Sequence, residues 1–497
     1  MTDHSDGCDA SHDTDRKPPR GIDPARRRLL GWLGRVAAAG AAGTQVQPAG
    51  AQVPVPAPAS VPASVSTSVP VAALAGARRP VVVMTAYPEE VTSRIEAAFE
   101  AAHPGLRLQL LWRMPVDALP YLQSPAGAAV DVYWSASPRT YAALQRGGAL
   151  RRLSAQDVPS DGLPGRLGGT DISDVGDVSG VRGGSGAGDV GNPGGHYLAS
   201  ELAGYGFAYQ PQRLAALGLA VPVDWPDLAA PGWAGQLALP VPSRVGYAPV
   251  MVDIVLQAFG WDRGWALWSA IAGNAALVGN GSSFITDEVA GGRRALGLTI
   301  DFFAASAVAS GAPLRFAYPQ HGGINAGHVA VMAHAPNVDG ALAFTRFVLS
   351  DAGQVLLGHP AIRKLPARPS AYARLPAGYF NPFEAASHGG YDYDNAKGQP
   401  RLGLLAALFE QALVADHAEH AALWRRLHAA QAAGRDVAAA QALLQAPPLD
   451  AAAADDTALA ARFGRLEGSA PADRTAQERA WRSAAARRRA QAAALLA

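Results

Sequence analysis

The chain is poor in the features that usually announce chemistry. Of its 497 residues one is cysteine, Cys8, so no disulfide closes within the chain. Cys8 also precedes the segment read below as an export signal, which leaves the remainder without a thiol for metal or nucleophilic work. Charge of one sign is not in excess: 42 basic residues face 41 acidic ones, for a net +1. That balance gives no electrostatic case for nucleic acid or for a broad basic membrane face. HExxH, GxSxG, a Walker A loop and the kinase signatures are all missing, and no pair of nucleophile and general base stands out. A formal GxGxxG at Gly186–Gly191 has no strand before it and no helical pattern after it, so it is not read as a dinucleotide site. Asp171, Asp174 and Asp177 lack the spacing of a calcium loop.

What is present falls into segments. At 49% hydrophobic and 17% charged, the chain is globular and long enough for two or three domains. In residues 1–51, Arg26, Arg27 and Arg28 precede a mildly apolar stretch, and Ala49-Gly50-Ala51 fits a small-residue cleavage site. This is the pattern of a signal peptide, resembling the twin-arginine type, and it implies a periplasmic protein cleaved near Ala51. The apolar stretch is too short for a typical transmembrane span, and Arg35 interrupts it. Residues 52–79 form a Pro/Ala-rich linker.

From Pro80 onward strands and helices alternate, which predicts a parallel α/β arrangement. Val81–Met84 is a continuous apolar strand, and Pro88, Glu89 and Glu90 suit a helix start. Leu106–Trp112 and Val130–Trp134 read as further strands, and Pro138–Arg146 as a helix. Asp157–Gly195 is a Gly/Asp-rich insertion. Trp261, Trp265 and Trp268 share a helical face that reads as core. Ala275–Val278 is an apolar run ending in a polar loop, with Thr286 the expected N-cap of the next helix. Then come a strand at Ala295–Ile300, a helix at Asp301–Ser310 and a strand at Leu314–Tyr318. His417 and His420 fall on a helix face expected to be exposed, and Arg474–Ala497 on a final Ala/Arg-rich helix.

Several blocks in order carry a family resemblance. Leu296–Pro319 contains GLxIDFFxxSxxASGxPxxFxYP, Phe344–Leu357 reads FTRFVLSDAGQVLL, and Pro360–Pro366 follows. Trp225–Trp233 resembles a DWxDLxxPxWxG segment, and Asn381-Pro382-Phe383 an NPF segment. Together they resemble periplasmic solute-binding proteins of ABC importers, in the branch of ferric-iron, phosphoglycerate and aminoethylphosphonate binders. The resemblance covers about Pro80 to Ala430. It implies a type II periplasmic-binding fold: two α/β lobes joined by crossing hinge strands near Glu201–Gln210 and Leu314–Ile324, with a helical C-terminal extension. The boundaries then read 80–204 for the first part of lobe 1, 205–318 for lobe 2, 319–430 for the second part of lobe 1, and 431–497 for the extension.

Loops at strand ends, with hydroxyls and helix N-termini, suit an anion in such a fold. The candidate set is Thr85, Ala86, Tyr87, Ser135 and Ser137 from the first lobe. Ser243, Arg244, Tyr247, Ser282 and Ser283 come from the second, with Tyr205 and Tyr318 beside the crossings. The resemblance implies a non-enzymatic, monomeric receptor without a cofactor. It captures a small anionic solute, phosphonate or organophosphate, for ABC permease and ATPase subunits. Ser243–Pro249 reads SRVGYAP where the phosphonate branch has SRSGTTH-like residues, so Tyr247 replaces a hydroxyl. Two rival readings stay open: a ferric-iron or other metal receptor, and a periplasmic sensor or regulatory partner of a membrane kinase. Iron binders of this type use adjacent tyrosines; here Tyr391 and Tyr393 come nearest. His321, His328 and His334 lie near the second crossing. N-terminal sequencing of the exported chain is expected to begin at Gln52, and Arg27→Lys with Arg28→Lys to leave the precursor uncleaved.

Overall fold

A computed structural model describes residues 79–159, 162–173, 195–279, 283–463 and 472–497. The export segment, the linker, Gly186–Gly191 and Ser282 fall outside these ranges. The sequence repeats one unit, an apolar strand followed by a Pro- or acid-led helix. β1 (Val81–Thr85) is buried along its whole length. Pro88 then caps α1 (Glu89–Ala102), whose Val91, Ile95 and Phe99 recur at helical spacing and face inward. β2 (Leu108–Trp112) and β3 (Val132–Ser135) flank β1 in parallel. Asp131 fastens this group at its base. Its carboxylate accepts the Val82 amide at 2.8 Å and the Asn337 amide at 2.6 Å.

The organising element is β4 (Leu198–Tyr209), twelve residues, every one buried. At about 3.3 Å per residue it spans roughly 40 Å, enough to pass through two cores. β5 (Leu237–Pro240), β6 (Ala275–Val278), β7 (Leu296–Ile300), β8 (Arg315–Ala317) and β9 (Ile324–Val331) complete a nine-stranded sheet. Its order is β2-β1-β3-β9-β4-β7-β5-β6, with β8 also on β4. Leu198–Gly204 pairs antiparallel with β9, and β9 in turn with β3. Tyr205–Tyr209 pairs antiparallel with β7, which runs parallel to β5. The chain therefore crosses from one half to the other twice, in β4 and between β8 and β9.

Each half has its own core. The first gathers Val81–Met84, Tyr133, Trp134, Val329–Met332 and Phe344. The second gathers Phe207, Trp225, Leu237, Trp265, Trp268 and Leu298. The tryptophan face is core as expected: Trp265 and Trp268 are buried, and Trp261 donates its indole N–H to the Leu449 carbonyl at 2.7 Å. This is the type II periplasmic-binding arrangement, with two α/β lobes, crossing strands and a helical C-terminal extension.

Four details differ from the sequence reading. The helix after β6 begins at Ser283, so Thr286 sits inside it and buried rather than at its N-cap. The strand that the sequence reads at His328–Ala333, re-entering the first lobe, runs Ile324–Val331, because pairing with β4 begins at the crossing itself. Leu404–Leu413, assigned by sequence with the first lobe, packs into the second core. His420 is buried and meets the Ser269 carbonyl at 2.8 Å, while His417 meets Ala272 at 2.9 Å. Their helix, His417–Ala432, lies against Trp261–Asn274, and the exposed face expected there is an interface.

A buried ion pair joins the second core to the helices that open at Arg401. Arg401 meets Asp253 at 2.6 Å, and Asp253 is wholly buried. Removing one partner of such a pair leaves a charge without compensation, at about 3–5 kcal/mol. Arg401→Met is expected to lower the urea-unfolding free energy by that order, with the midpoint moving and helix content kept.

Candidate functional site

The crossing region holds charge that the strands around it cannot solvate. Glu201 is the charged residue in the apolar run of β4, and it is 1% exposed. Lys364 answers it from the loop after the Asp351–Leu356 helix, with Nζ 2.6 Å from Glu201 Oε1 and 3% of the side chain exposed. Leu365 pairs with Leu202 as an isolated bridge, which brings Lys364 to the edge of β4. Arg363, immediately before it, has φ of 51°, the one positive φ outside glycine among the described residues. A side chain in this left-handed region is strained by about 1–2 kcal/mol, a strain that collects at functional sites.

The ammonium of Lys364 lies 4.5 Å from the Tyr87 ring centroid and 4.8 Å from that of Phe302. Tyr87 belongs to the first core, and Phe302, in α6 (Asp301–Ala309), packs on the second. The lysine thus touches both halves. Gly327 of β9 sits where a Cβ would collide with the Tyr87 hydroxyl and the Glu201 carboxylate, and the strand register shifts there. Burial pushes the Tyr87 phenol well above its ordinary value, with Glu201 adding to the rise.

Asp301 stands at the same crossing. Its Oδ2 accepts the Gly204 amide at 2.8 Å and the Tyr318 hydroxyl at 2.9 Å. Burial raises its carboxyl to about 7; the Gly204 amide, Tyr318 and then Lys364 oppose that rise. Glu201 Oε2 and Asp301 Oδ1 are buried and meet no hydrogen-bond partner of good geometry. On the far side, Asp224 takes the His321 amide at 3.1 Å and the His321 ring at 2.5 Å, and Trp225 donates to the His321 carbonyl at 2.7 Å. The Asp-Trp motif therefore clasps the chain as it returns through the second crossing.

The sequence candidates divide. Thr85 is buried and its hydroxyl accepts the Tyr87 amide at 3.1 Å, with Ala86 half-buried between them. Ser135 is buried beside Tyr133, and its amide donates to the Tyr141 hydroxyl at 3.0 Å. Ser137 is half-buried and pairs with Thr140 at 2.8 Å. Tyr205 is buried in β4, and Tyr318 stacks on Phe380 at 3.6 Å. Tyr247 is tied to Thr299 at 3.2 Å. Ser243 and Arg244 are exposed and turn to Glu410, at 2.6 Å and 3.7 Å. No side-chain detail is described for Ser283.

Tyr391 and Tyr393, the nearest tyrosines in sequence, enter different cores, and burial pushes both phenols up. Among the described residues, no three His, Cys, Asp or Glu side chains are grouped to hold a metal ion. Sequence reasoning missed Glu201, Asp301 and Lys364. The available signal was a lone carboxylate in an apolar strand, which must find a partner when buried.

Two α/β halves, a double crossing and charge buried at the crossing define a ligand-binding scaffold of the clamshell kind. Residues 187–378 match the family model of the bacterial extracellular solute-binding proteins. Over 267 residues it is 30% identical to the phosphoglycerate transport regulatory protein PgtC of Salmonella typhimurium, covering 54% of this chain and 66% of that one. The match thus spans just under two-thirds of that relative's length. Among solved structures, a periplasmic binding protein, AfuA of Actinobacillus pleuropneumoniae with fructose-6-phosphate bound, is 17% identical. It covers 67% of this chain and 97% of its own, with a TM-score of 0.47. Apo ferric ion-binding protein A of Pasteurella haemolytica is 13% identical, covering 68% and 99%, with a TM-score of 0.48.

The raised Asp301 carboxyl carries a pH signature. Between its ordinary value of 3.8 and about 7, the folded chain holds a proton that the unfolded chain has released. Stability therefore falls as pH rises through that window. Urea unfolding of the native chain at intervals from pH 4 to pH 8 is expected to show that fall, and Asp301→Asn to flatten it.

Proposed function

We propose that the chain is an exported receptor that captures a small anionic solute between its two lobes and hands it to a membrane importer. One observation carries this reading: Lys364, bonded to Glu201 of the first lobe, also lies on Phe302 of the second. A solute that engages this lysine is gripped by both halves, and the grip favours the closed form. Thr85, Ser135 and Ser137 stand at the ends of neighbouring parallel strands, where hydroxyls and helix starts complement an anion. The phosphoglycerate in the Salmonella relative's name favours a phosphorylated or phosphonated organic acid over a bare ion. A periplasmic location, export through the arginine-led segment, and ABC permease and ATPase partners follow from the same reading. In this proposal residues 80–204 and the return from 319 form one lobe and 205–318 the other, with Leu404–Leu413 and the 431–497 extension packed on the second.

Arg244 does not serve as the anion's partner in this reading, because Glu410 already opposes it. A second reading draws on the word regulatory in that relative's name: the loaded receptor signals to a membrane kinase rather than feeding a permease. Both need the same solute-driven closure. In a thermal-unfolding screen, a phosphorylated or phosphonated acid at one hundred times its Kd is expected to stabilise the chain by about 2.7 kcal/mol. Lys364→Met is expected to abolish that gain. A shift with ferric citrate and none with any phosphorylated or phosphonated compound would overturn the anion reading in favour of iron.

A further inference from the structure

We infer that the hairpin of residues 166–171 is a latch between the two halves. It bonds to segment 391–394 on the face of the crossing away from Glu201, and it sets how readily the halves part. The latch lies outside the Lys364 site and acts the same way whatever the solute is.

The crossing has two faces, because side chains alternate along a strand. Glu201 points to one, where Lys364 and Tyr87 lie. Leu202 points to the other and joins a separate apolar cluster with Leu167, Ile172, Ile324, Leu365 and Tyr391. The hairpin stands at the edge of this cluster. Arg166–Leu167 pairs with Thr170–Asp171, and Gly168 and Gly169 make the turn between them. Gly168 has φ of 54°, a conformation that glycine takes without strain. A Cβ on Gly168 would overlap the Tyr391 carbonyl, and one on Gly169 the Asp392 carbonyl. The two backbones therefore touch, and the paired glycines are what lets them.

The two sides of this junction belong to different halves. The hairpin is fixed to the first: the Ala199 amide donates to Ser173 Oγ at 3.0 Å, and His328 Nε2 meets the Ile172 carbonyl at 3.0 Å. Leu198 and Val329, next to Ala199 and His328 in their strands, belong to the first core. Segment 391–394 is fixed to the second half. Tyr393 enters that core, and Asp394 exchanges two hydrogen bonds with Gln257 of the Ala248–Phe259 helix, at 2.9 and 3.0 Å. Across the junction, the Gly169 amide donates to the Tyr391 carbonyl at 3.0 Å and the Thr170 hydroxyl to the Tyr393 carbonyl at 2.8 Å. Thr170 is 3% exposed, so water does not compete for its bond. These bonds join the halves beside the crossing strands. A rotation of one half against the other must break them or pull one segment off its own half. The arrangement they hold is the one that places Lys364 between Tyr87 and Phe302. The latch thus weights the chain toward that arrangement before any solute binds.

Spin labels on one exposed residue of each half test the latch through the distance between them, with no solute added. The full chain carries Cys8→Ser, with Ala126→Cys on the first half and Ala215→Cys on the second. With its own hairpin this chain is expected to give one narrow distance. Thr170→Val removes the hydroxyl and keeps the shape. It is expected to multiply the population at a second, parted distance about fivefold, the factor for one lost hydrogen bond. Gly169→Val drives the hairpin off Asp392 and is expected to make the parted form the major one. Thr170→Ser keeps the hydroxyl and is expected to retain the narrow distance. The same distribution in the unaltered hairpin, Thr170→Val and Gly169→Val overturns the latch, as does a Thr170→Ser chain that parts as far as Thr170→Val. Neither result bears on the solute reading, because no solute is present. Should Gly169→Val fail to fold, the comparison of Thr170→Val with Thr170→Ser still decides.

Discussion

A strand buried along its entire length allows almost no charge, and β4 is such a strand. Its first half completes the sheet of one core and its second half the sheet of the other, so neither half of the molecule folds independently of it. Strands covered on both faces read as continuous apolar runs, and Leu198–Tyr209 nearly does. Glu201 breaks the pattern. A carboxylate there is tolerable when a cation reaches it without water, which requires a neighbouring segment to deliver one at the strand edge. The Leu202–Leu365 bridge and the turn at Arg363 deliver Lys364. One charge in one strand thus dictates the path of a loop more than 150 residues later in the chain.

The crossing contains three acidic groups, and each is stabilised by different means. Glu201 has an ammonium, Asp224 an imidazole, and Asp301 a backbone amide with a tyrosine hydroxyl. Asp301 has its carboxyl raised to about 7, with burial the largest cause. These solutions differ in what they fix. Asp224 ties two segments of the second crossing together, which is a structural task. Asp301 holds α6 against β4, so the helix that carries Phe302 is oriented by the strand that carries Glu201. The positions of the two ring faces around Lys364 therefore follow from hydrogen bonds at the crossing and not from packing alone.

Apolar runs made most of the fold legible. Val81–Thr85, Val132–Ser135 and Leu296–Ile300 are continuous, buried and bounded by turn residues, so periodicity alone located them. Pro88 and Asn337 marked helix starts correctly; Asn337 accepts the Gly340 amide at 3.0 Å. Thr286 did not, because a hydroxyl ahead of two acids resembles a cap whether or not the chain has already turned helical. His417 and His420 misled for a related reason: a polar pair reads as solvated unless the partner helix is known, and here the partner lies about 145 to 151 residues away. The strand-end loops were readable at the site. Lys364 was not, since a lysine in a Pro-rich loop looks like ordinary surface until Glu201 is seen to be buried beside it.

In the proposed reading the site centres on Lys364 and not on Arg244, and the helices that follow Arg401 supply the reason. Leu404–Leu413 joins the second core, and so do Leu459, Phe463 and Trp481 of the extension, so these helices are part of that half's hydrophobic packing. The last helix is pinned by Arg489, which is buried and bonded to Asp416 at 2.6 Å and Glu419 at 3.0 Å. Between these anchors the chain makes a π-helical turn at Glu410–Val414, a distortion common where a helix must place one side chain out of register. The side chain so placed is Glu410, against Ser243 and Arg244. An exposed pair of this kind adds little stability, about 0–1 kcal/mol, yet it cancels the local positive charge. With that loop neutralised from outside, the cation that spans the crossing is the buried one, and its environment of low polarity makes each contact with an anion stronger than it would be at the surface.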